Sequence, residues 1–316
     1  MQYDILCVGL MVCDIMVKPV SKAVFDMDSI RLDTMKMASG GDAMNTAVDM
    51  AKLGVKVGLV GRVGNDGLGD FLRNEAKSAG IDTRHVRVCD DYSTSTSIVL
   101  IEEGGERHFA YYGKTNDTLC PEDIPQEALQ NIKILQVGSA MALASLEGEA
   151  LAALYKKAHD CGAMTSLDLT WDSTGAWLSR IEPALCHLDI FFPSYEEACA
   201  MTGLSDPRAM KDFFRKYGLK IFGVKMGEKG CYVTNFIDEY EIPAFLTPNV
   251  VDTTGAGDSF MAGFLSGIVK GWDIYRAGVF ANAVAHFSVQ ALGASAGIRS
   301  YDETVGFVNQ NIPNLL

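Results

Sequence analysis

The chain has 316 residues, 48% hydrophobic and 21% charged, with a formal net charge of −13 at pH 7. This is enough chain for one large globular α/β domain. The negative charge excludes a basic surface for nucleic acid and disfavours binding to an anionic membrane surface. The eight cysteines include no C-x-x-C pair, and no apolar run approaches the ~20 residues that span a bilayer. We therefore expect a protein of the reducing cytoplasm, without a zinc site or a signal peptide.

Short apolar segments alternate with segments of helical periodicity along most of the chain. In chain order, the sequence predicts a strand at 5–9, a helix at 43–53, a strand at 55–61, a helix at 67–79, a strand at 132–137, a helix at 146–159, strands at 163–169 and 190–193, a helix at 196–202, a strand at 221–225, a hairpin-like region up to 245, and helices at 256–270 and 274–292. This alternation predicts a doubly wound, mostly parallel sheet that helices cover on both faces.

Two stretches interrupt the alternation. Residues 15–39 have alternating character without a helical pattern, and 97–101 and 107–112 are predicted as two strands around a Gly-Gly turn. These segments could form a small accessory sheet that serves as a lid or a dimer surface. From the pattern alone, an extra antiparallel edge on the main sheet is an equal alternative.

The run at 252–260, Asp-Thr-Thr-Gly-Ala-Gly-Asp-Ser-Phe, opens a predicted helix. Its small residues Gly255, Ala256 and Gly257 let a ligand approach the first N–H groups of the helix, which bind anions. Asp258 lies in the first turn, where its carboxylate could accept a proton from a hydroxyl that attacks a bound phosphoryl group. An acid at this position also complements the helix dipole, so the residues alone leave both roles open.

The run at 252–260 resembles the C-terminal motif of the ribokinase-like, PfkB-type carbohydrate kinase family. Further segments are similar to motifs of that family and follow in the family's order: Gly-Gly-Asp-Ala-Met-Asn at 40–45, Gly-Arg-Val-Gly-Asn-Asp-Gly-Leu-Gly at 61–69, Lys-Met-Gly-Glu-Lys-Gly at 225–230, Ala-Asn-Ala at 281–283 and Gly-Ala at 293–294. The resemblance covers nearly the whole chain. It implies a single ribokinase-like α/β domain over 1–316, with a β lid formed from about 15–39 and 93–113.

The resemblance also assigns the phosphoryl-transfer residues. It implies an ATP-dependent kinase in which Asp258 is the general base. Gly255, Ala256 and Gly257 match the anion hole, whose backbone donors stabilise charge on the phosphoryl oxygens. Without the family, these roles would rest only on a favourable helix start.

The implied acceptor site lies near the start of the chain. Asp14 matches a residue that holds substrate hydroxyls, and Gly41 and Asn45 match substrate contacts. Glycine would let a sugar lie against the backbone, and the Asn45 amide offers both a donor and an acceptor to hydroxyl groups. Asp42 is expected beside the same pocket.

The implied nucleotide site lies in the second half of the chain. Lys225, Gly227 and Gly230 belong to the loop that would line the nucleotide, and Asn282 would lie near the adenine. Ser194 stands where the family usually has Asn, although a hydroxyl can still bond a phosphate or a metal-bound water.

The resemblance implies metal ions at two places. Glu197 matches a glutamate that helps to position Mg²⁺ through water, and Mg²⁺ is commonly bound by few carboxylates together with waters and phosphates. Asp252 and the Thr254 carbonyl match part of a monovalent-cation site, so K⁺ is a further expected ion.

The residues near the acceptor narrow the substrate. Asp42 stands where ribokinase and kinases of phosphorylated sugars resemble one another in carrying Lys, and Asp14 is expected close by. Two carboxylates repel an anionic acceptor, so we predict a neutral sugar, with a ketose such as fructose favoured. A nucleoside kinase and a 2-keto-3-deoxygluconate-type kinase remain alternatives on the same fold. A non-catalytic sugar- or nucleotide-binding regulator is an alternative of another class. The exposed edge of the lid strands suggests a homodimer.

Overall fold

The structure is a computed structural model that describes residues 3–316, so the first two residues of the predicted domain lie outside it. Within this part of the chain, the strands are β1 (Ile5–Val8), β2 (Val12–Lys18), β3 (Thr34–Gly40), β4 (Val57–Gly64), β5 (Asp82–Cys89), β6 (Thr96–Ile101), β7 (Arg107–Tyr112), β8 (Ile134–Val137), β9 (Met164–Leu167), β10 (Ile190–Phe191), β11 (Ile221–Lys225), β12 (Cys231–Thr234) and β13 (Glu239–Ile242). Nine of these strands form one sheet in the order β13-β12-β11-β10-β9-β8-β1-β4-β5.

The main sheet is parallel from β5 to β11, and β12 and β13 add an antiparallel edge. The chain leaves β1 towards β4 on one side and later returns to β8 on the other. In open α/β sheets, ligands bind at the carboxyl ends of the strands, where the strand order reverses in this way. The residues that follow β1, β8 and β9 therefore meet at the place where a ligand is expected.

Helices cover both faces of the sheet, as the near-continuous apolar strands predict. The helices are α1 (Asp42–Lys52), α2 (Gly67–Ser78), α3 (Lys114–Asp117), α4 (Gln126–Leu129), α5 (Glu149–Asp160), α6 (Leu178–Leu185), α7 (Tyr195–Thr202), α8 (Pro207–Phe214), α9 (Ala256–Val269), α10 (Ile274–Ser288) and α11 (Tyr301–Asn311). Leu6 and Val8 belong to the core on one face, and Ile5 and Cys7 to the core on the other. Within residues 3–316, no helix has the length and apolar character that a membrane span requires.

The two irregular stretches form a second sheet of four strands, in the order β3-β2-β6-β7, which we call the lid sheet. It is separate from the main sheet, so the alternative of an extra antiparallel edge is wrong. Strand β2 pairs in parallel with β6 and antiparallel with β3. The predicted doubly wound sheet with a small β lid is thus confirmed.

Several elements were absent from the prediction. Strand β5 has an alternating, charge-rich sequence because it is the edge of the main sheet, with partly exposed side chains. Helices α6, α8 and α11 were also missed. Helix α6 carries an internal proline, Pro183, which is unfavourable in helix interiors. Helices α8 and α11 begin after the capping residues Asp206 and Ser300, which are local start signals that the prediction did not use.

Candidate active site

Helix α9 begins at the predicted anion-binding turn. Gly255 precedes its first residue and has φ 76°, a conformation that favours glycine. A Cβ at Gly255 would also lie 2.5 Å from the Ala294 Cβ, so the packing excludes a larger residue. Asp258 lies in the first turn with 8% of its surface exposed. The Ala256 N–H donates to the Thr253 carbonyl at 3.2 Å. The next two N–H groups, of Gly257 and Asp258, have no intrahelical partners, which makes the position suitable for an anion.

Helix α1 brings a second side chain to Asp258. The Asn45 Nδ2 donates to the Asp258 Oδ2 at 2.8 Å, and both side chains are buried. The helix begins after Gly41, whose φ is 91°. A Cβ at Gly41 would lie 2.5 Å from the Leu10 carbonyl oxygen. Packing against the chain therefore already requires glycine here, and the expected contact between Gly41 and a sugar stays a prediction.

The carboxyl group of Asp258 lies in a buried and acidic environment. Burial is the main cause that raises its pKa well above the usual value, and the charges of Asp42 and Asp168 add to this. The hydrogen bond from Asn45 opposes the increase. A raised pKa is common for groups that exchange protons during catalysis.

Asp42 lines the same cleft and accepts a hydrogen bond from the Ser139 hydroxyl. Burial raises the pKa of Asp42 to about 7. Asp14 lies on strand β2 of the lid sheet, where burial raises its pKa to about 6. Asp42 and Asp258 line one cavity, whereas Asp14 lies outside its lining.

Lys225 forms a buried ion pair that the sequence did not predict. Its Nζ lies 2.6 Å from the Asp168 Oδ1, and both side chains are largely buried. The ammonium group also lies beside the anion-binding turn, since a Cβ at Gly257 would be 3.3 Å from it. Asp168 directly follows β9, and its position at the carboxyl end of a parallel strand was the available signal.

Ser194 and Glu197 form a capping box at the start of α7. The Glu197 amide donates to the Ser194 Oγ at 3.3 Å, and the Ser194 amide donates to the Glu197 Oε2 at 2.7 Å. The second oxygen of Glu197, Oε1, has no hydrogen-bond partner among the described residues. Both residues line the cleft.

The remaining predicted nucleotide contacts line the same cleft, which has a volume of about 550 Å³. Gly227 and Gly230 flank the short turn between β11 and β12. The Asn282 Nδ2 donates to the carbonyl oxygens of Ile242 and Pro243 at 3.1 and 3.2 Å. Asn282 thereby fixes the chain that leaves β13 and forms one wall of the cleft.

Asp252 and Thr254 lie immediately before the anion-binding turn, and a residue of the lid sheet contacts both. The Arg107 Nη1 lies 2.8 Å from the Asp252 Oδ1 and 3.2 Å from the Thr254 Oγ1. The sequence did not indicate this arginine. Its only signal was a position at the start of a predicted lid strand.

An α/β sheet with a lid and an anion-binding helix start in an acidic cleft is the arrangement of a small-molecule kinase. A protein-family model described as pfkB family carbohydrate kinase matches residues 2–300, and the chain belongs to this family. It is therefore a sugar or nucleoside kinase, a transferase, in agreement with the predicted class.

Individual relatives differ in their substrates. The chain is 28% identical over 287 residues to a 2-dehydro-3-deoxygluconokinase of Bacillus subtilis, covering 88% of this chain and 89% of the relative. It is 27% identical over 306 residues to an ATP-dependent 6-phosphofructokinase of Thermoanaerobacterium thermosaccharolyticum, covering 95% and 92%. The fold is similar to that of a protein termed ribokinase II from Escherichia coli, solved with ATP and Mg²⁺ (TM-score 0.83, 22% identity, 98% of this chain and 100% of that chain).

Proposed function

We propose that this protein transfers the γ-phosphoryl group of ATP to a hydroxyl group of a small neutral sugar, with a ketose such as fructose as the leading acceptor. The observation that carries this proposal is the buried Asp258 in the first turn of α9, held by Asn45 next to an anion-binding turn. This arrangement puts a proton acceptor and a phosphoryl-binding site side by side.

Asp258 would accept the proton of the attacking hydroxyl group. Asn45 supports this role because its Nδ2 fixes one Asp258 oxygen and its buried Oδ1 has no partner among residues 3–316. A buried acceptor without a partner is costly, and a substrate hydroxyl can satisfy it. One Asn45 side chain would thus orient both the base and the acceptor.

The phosphate side of the cleft suits ATP and magnesium. The N–H groups from Gly255 to Gly257 would stabilise the transferring phosphoryl group, the Ala256 N–H after release from the Thr253 carbonyl to which it donates at 3.2 Å. The Lys225 ammonium lies beside the same turn. Glu197 keeps Oε1 for a water of hydrated Mg²⁺, which would neutralise phosphate charge when bound. The resemblance predicts potassium at Asp252 and the Thr254 carbonyl, and in the structure the Arg107 guanidinium contacts the side chains of both residues.

The charge of the cleft supports a neutral acceptor. Asp42, Asp168 and Asp258 line the cavity together. Lys225 also lines it, but its ammonium group is already paired with Asp168. A negative charge on the acceptor would be repelled by whichever of these carboxyl groups is ionised, above all by Asp258 when it acts as the base, and burial makes this repulsion stronger. The two relatives described above are named for an acid sugar and a sugar phosphate, so an acidic sugar such as 2-keto-3-deoxygluconate remains an alternative. A nucleoside is a further alternative.

An acceptor screen tests the proposal. Purified protein with Mg²⁺ and ATP is mixed separately with fructose and other neutral sugars, acid sugars, sugar phosphates and nucleosides, and ADP release is followed in a coupled assay. We expect acceptor-dependent ADP release that is fastest with a neutral sugar, and product analysis then identifies the hydroxyl. Release that depends only on an acidic sugar or a nucleoside would transfer the proposal to that class. No acceptor-dependent release would favour the non-catalytic regulator.

We further propose a homodimer through the lid sheet. Met35, Met37, Ile98 and Tyr112 lie on one face of this sheet, and each is at least 37% exposed. A contiguous exposed apolar face is unusual for a monomer and suits a second copy of the same face. Light scattering should show a dimer that Ile98→Lys converts to a monomer, whereas a wild-type monomer removes this proposal. The reducing cytoplasm stays a prediction from the sequence, whose eight cysteines include no C-x-x-C pair.

A further inference from the structure

Arg107 links the lid sheet to the anion-binding turn. It is the first residue of β7, and its guanidinium reaches across the chain to Asp252, 145 positions away. The pair is largely buried, since the Arg107 and Asp252 side chains are 27% and 3% exposed. The same Nη1 contacts the Thr254 hydroxyl, which lies directly before Gly255.

The donors around Asp252 leave little capacity for a further cation. Its Oδ1 accepts from the Arg107 guanidinium and from the Thr254 amide at 3.0 Å, and its Oδ2 accepts from the Gly293 amide at 3.0 Å. Burial alone would raise the pKa of Asp252, but these hydrogen bonds outweigh burial and lower it. The carboxylate is therefore ionised and already neutralised by a cation of the chain. The residues present do not fit the predicted potassium ion in this arrangement.

We infer that Arg107 is a positioning residue that takes the place of a monovalent cation at Asp252 and Thr254, and that the lid sheet brings it there. This inference rests on the proposed kinase function. An unpaired buried carboxylate before the anion-binding turn would oppose the binding of phosphoryl charge. The guanidinium neutralises that carboxylate and holds the turn that presents Gly255. Neutralisation then depends on the position of the lid rather than on an ion from solution.

The strand geometry provides a matched control. Successive side chains of a strand point to opposite faces, so Arg107 shares one face of β7 with Phe109 and Tyr111. His108 points to the other face, where it is half exposed and contacts Glu102 at 3.1 Å. The variant His108→Ala therefore changes the same hairpin without touching the Asp252 contact.

The decisive experiment compares cation dependence. Wild type, Arg107→Ala, Arg107→Lys and His108→Ala are assayed with ATP and the best acceptor in equal concentrations of KCl or choline chloride. The kcat of wild type, Arg107→Lys and His108→Ala should differ by less than about twofold between the two salts. Arg107→Ala should lose about tenfold in kcat in choline chloride and regain most of it in KCl. A wild type that requires K⁺, or a loss in Arg107→Ala that KCl does not reverse, would overturn the inference.

A second measurement does not need turnover. The melting temperature of Arg107→Ala should rise in KCl relative to choline chloride, because K⁺ then binds the unpaired carboxylate and stabilises the folded state. Wild type and His108→Ala should melt equally in both salts. Equal K⁺ responses in wild type and Arg107→Ala would contradict the inference. If no acceptor supports ADP release, the proposed function fails, while the melting comparison still decides which cation neutralises Asp252.

Discussion

The Asn45 amide lies 2.8 Å from the Asp258 carboxylate, although 213 positions separate the two residues in the chain. Helices α1 and α9 pack against each other. The contact therefore joins the first turn of α1, beside the predicted acceptor site, to the first turn of α9, beside the predicted phosphate site. It holds the carboxylate in one orientation at the mouth of the anion-binding turn. The predictions below follow from this contact and from the buried charges around it.

The first prediction concerns Asp258 itself. Asp258→Asn keeps the shape of the side chain and its place beside Asn45 but cannot accept a proton at neutral pH. We expect kcat to fall by about a thousandfold or more, within the range for loss of a general base. Nucleotide affinity, measured by calorimetry, should change by less than about threefold. Near-normal turnover would show that Asp258 is not the base.

The second prediction concerns the pH profile of kcat/KM. A base with a raised pKa is active only above that pKa, so activity should fall on the acid side. Asp42→Asn removes a charge that raises the pKa of Asp258 and should move the acid limb to lower pH. Asn45→Ala removes a hydrogen bond that lowers this pKa and should move the limb to higher pH. Each displacement should be about one pH unit.

The pH at which kcat/KM falls on the acid side does not depend on the absolute value of kcat/KM. Weaker binding of the acceptor by Asn45→Ala therefore does not shift this pH. The exposed Asp160→Asn serves as the control and should leave the profile unchanged. If the acid limb moves in the same direction in Asp42→Asn and Asn45→Ala, these two residues do not shift the pKa of Asp258 in the predicted way.

Much of the fold was predictable because the local signals agree with the tertiary structure. Apolar strands such as β1 are buried on both faces, and the glycines after 53 and 79 end helices α1 and α2. The motif residues meet because the carboxyl ends of parallel strands lie on one edge. The partners of Lys225 and Asp252 were not predictable. Both ion pairs, Lys225 with Asp168 and Arg107 with Asp252, join residues from distant segments of the chain. The sequence around Asp168 or Arg107 does not indicate which residue its partner is.

The third prediction concerns the buried pair of Lys225 and Asp168. Replacement of one partner leaves an uncompensated buried charge, so Lys225→Met and Asp168→Asn should each lower the free energy of unfolding by about 3–5 kcal/mol. The double variant should recover much of this loss, because neither charge remains. Urea unfolding of the four proteins gives the coupling energy.

Kinetics should separate the two residues of this pair. The KM for ATP should rise in Lys225→Met and in the double variant, because both lack the ammonium group beside Gly257. Recovery of stability without recovery of ATP binding would support a phosphate contact. A double variant that binds ATP like wild type would show that Lys225 has only a structural role.

The last prediction concerns Asp49, one turn after Asn45 on α1. Its carboxyl group is fully buried and accepts a hydrogen bond of 2.6 Å from the hydroxyl group of Ser259. Ser259 directly follows Asp258 in the chain. Burial raises the pKa of Asp49 to about 7, while the same group in the unfolded chain titrates near ~3.9. The folded state therefore binds more protons between these values. Asp49 stabilises the fold fully below pH ~4, and this contribution is lost as the pH rises through about 7.

Asp49→Asn should remove this part of the pH dependence. Between pH ~5 and ~7, the free energy of unfolding of wild type should fall more steeply than that of the variant, by about 1.4 kcal/mol per pH unit. Other buried carboxyl groups titrate in both proteins, so the difference between the two curves isolates Asp49. Urea unfolding at several pH values measures it, with the 72% exposed Asp70→Asn as a control. Parallel curves for wild type and Asp49→Asn would mean that burial does not hold Asp49 protonated, and that the α1–α9 contact is insensitive to pH at this position.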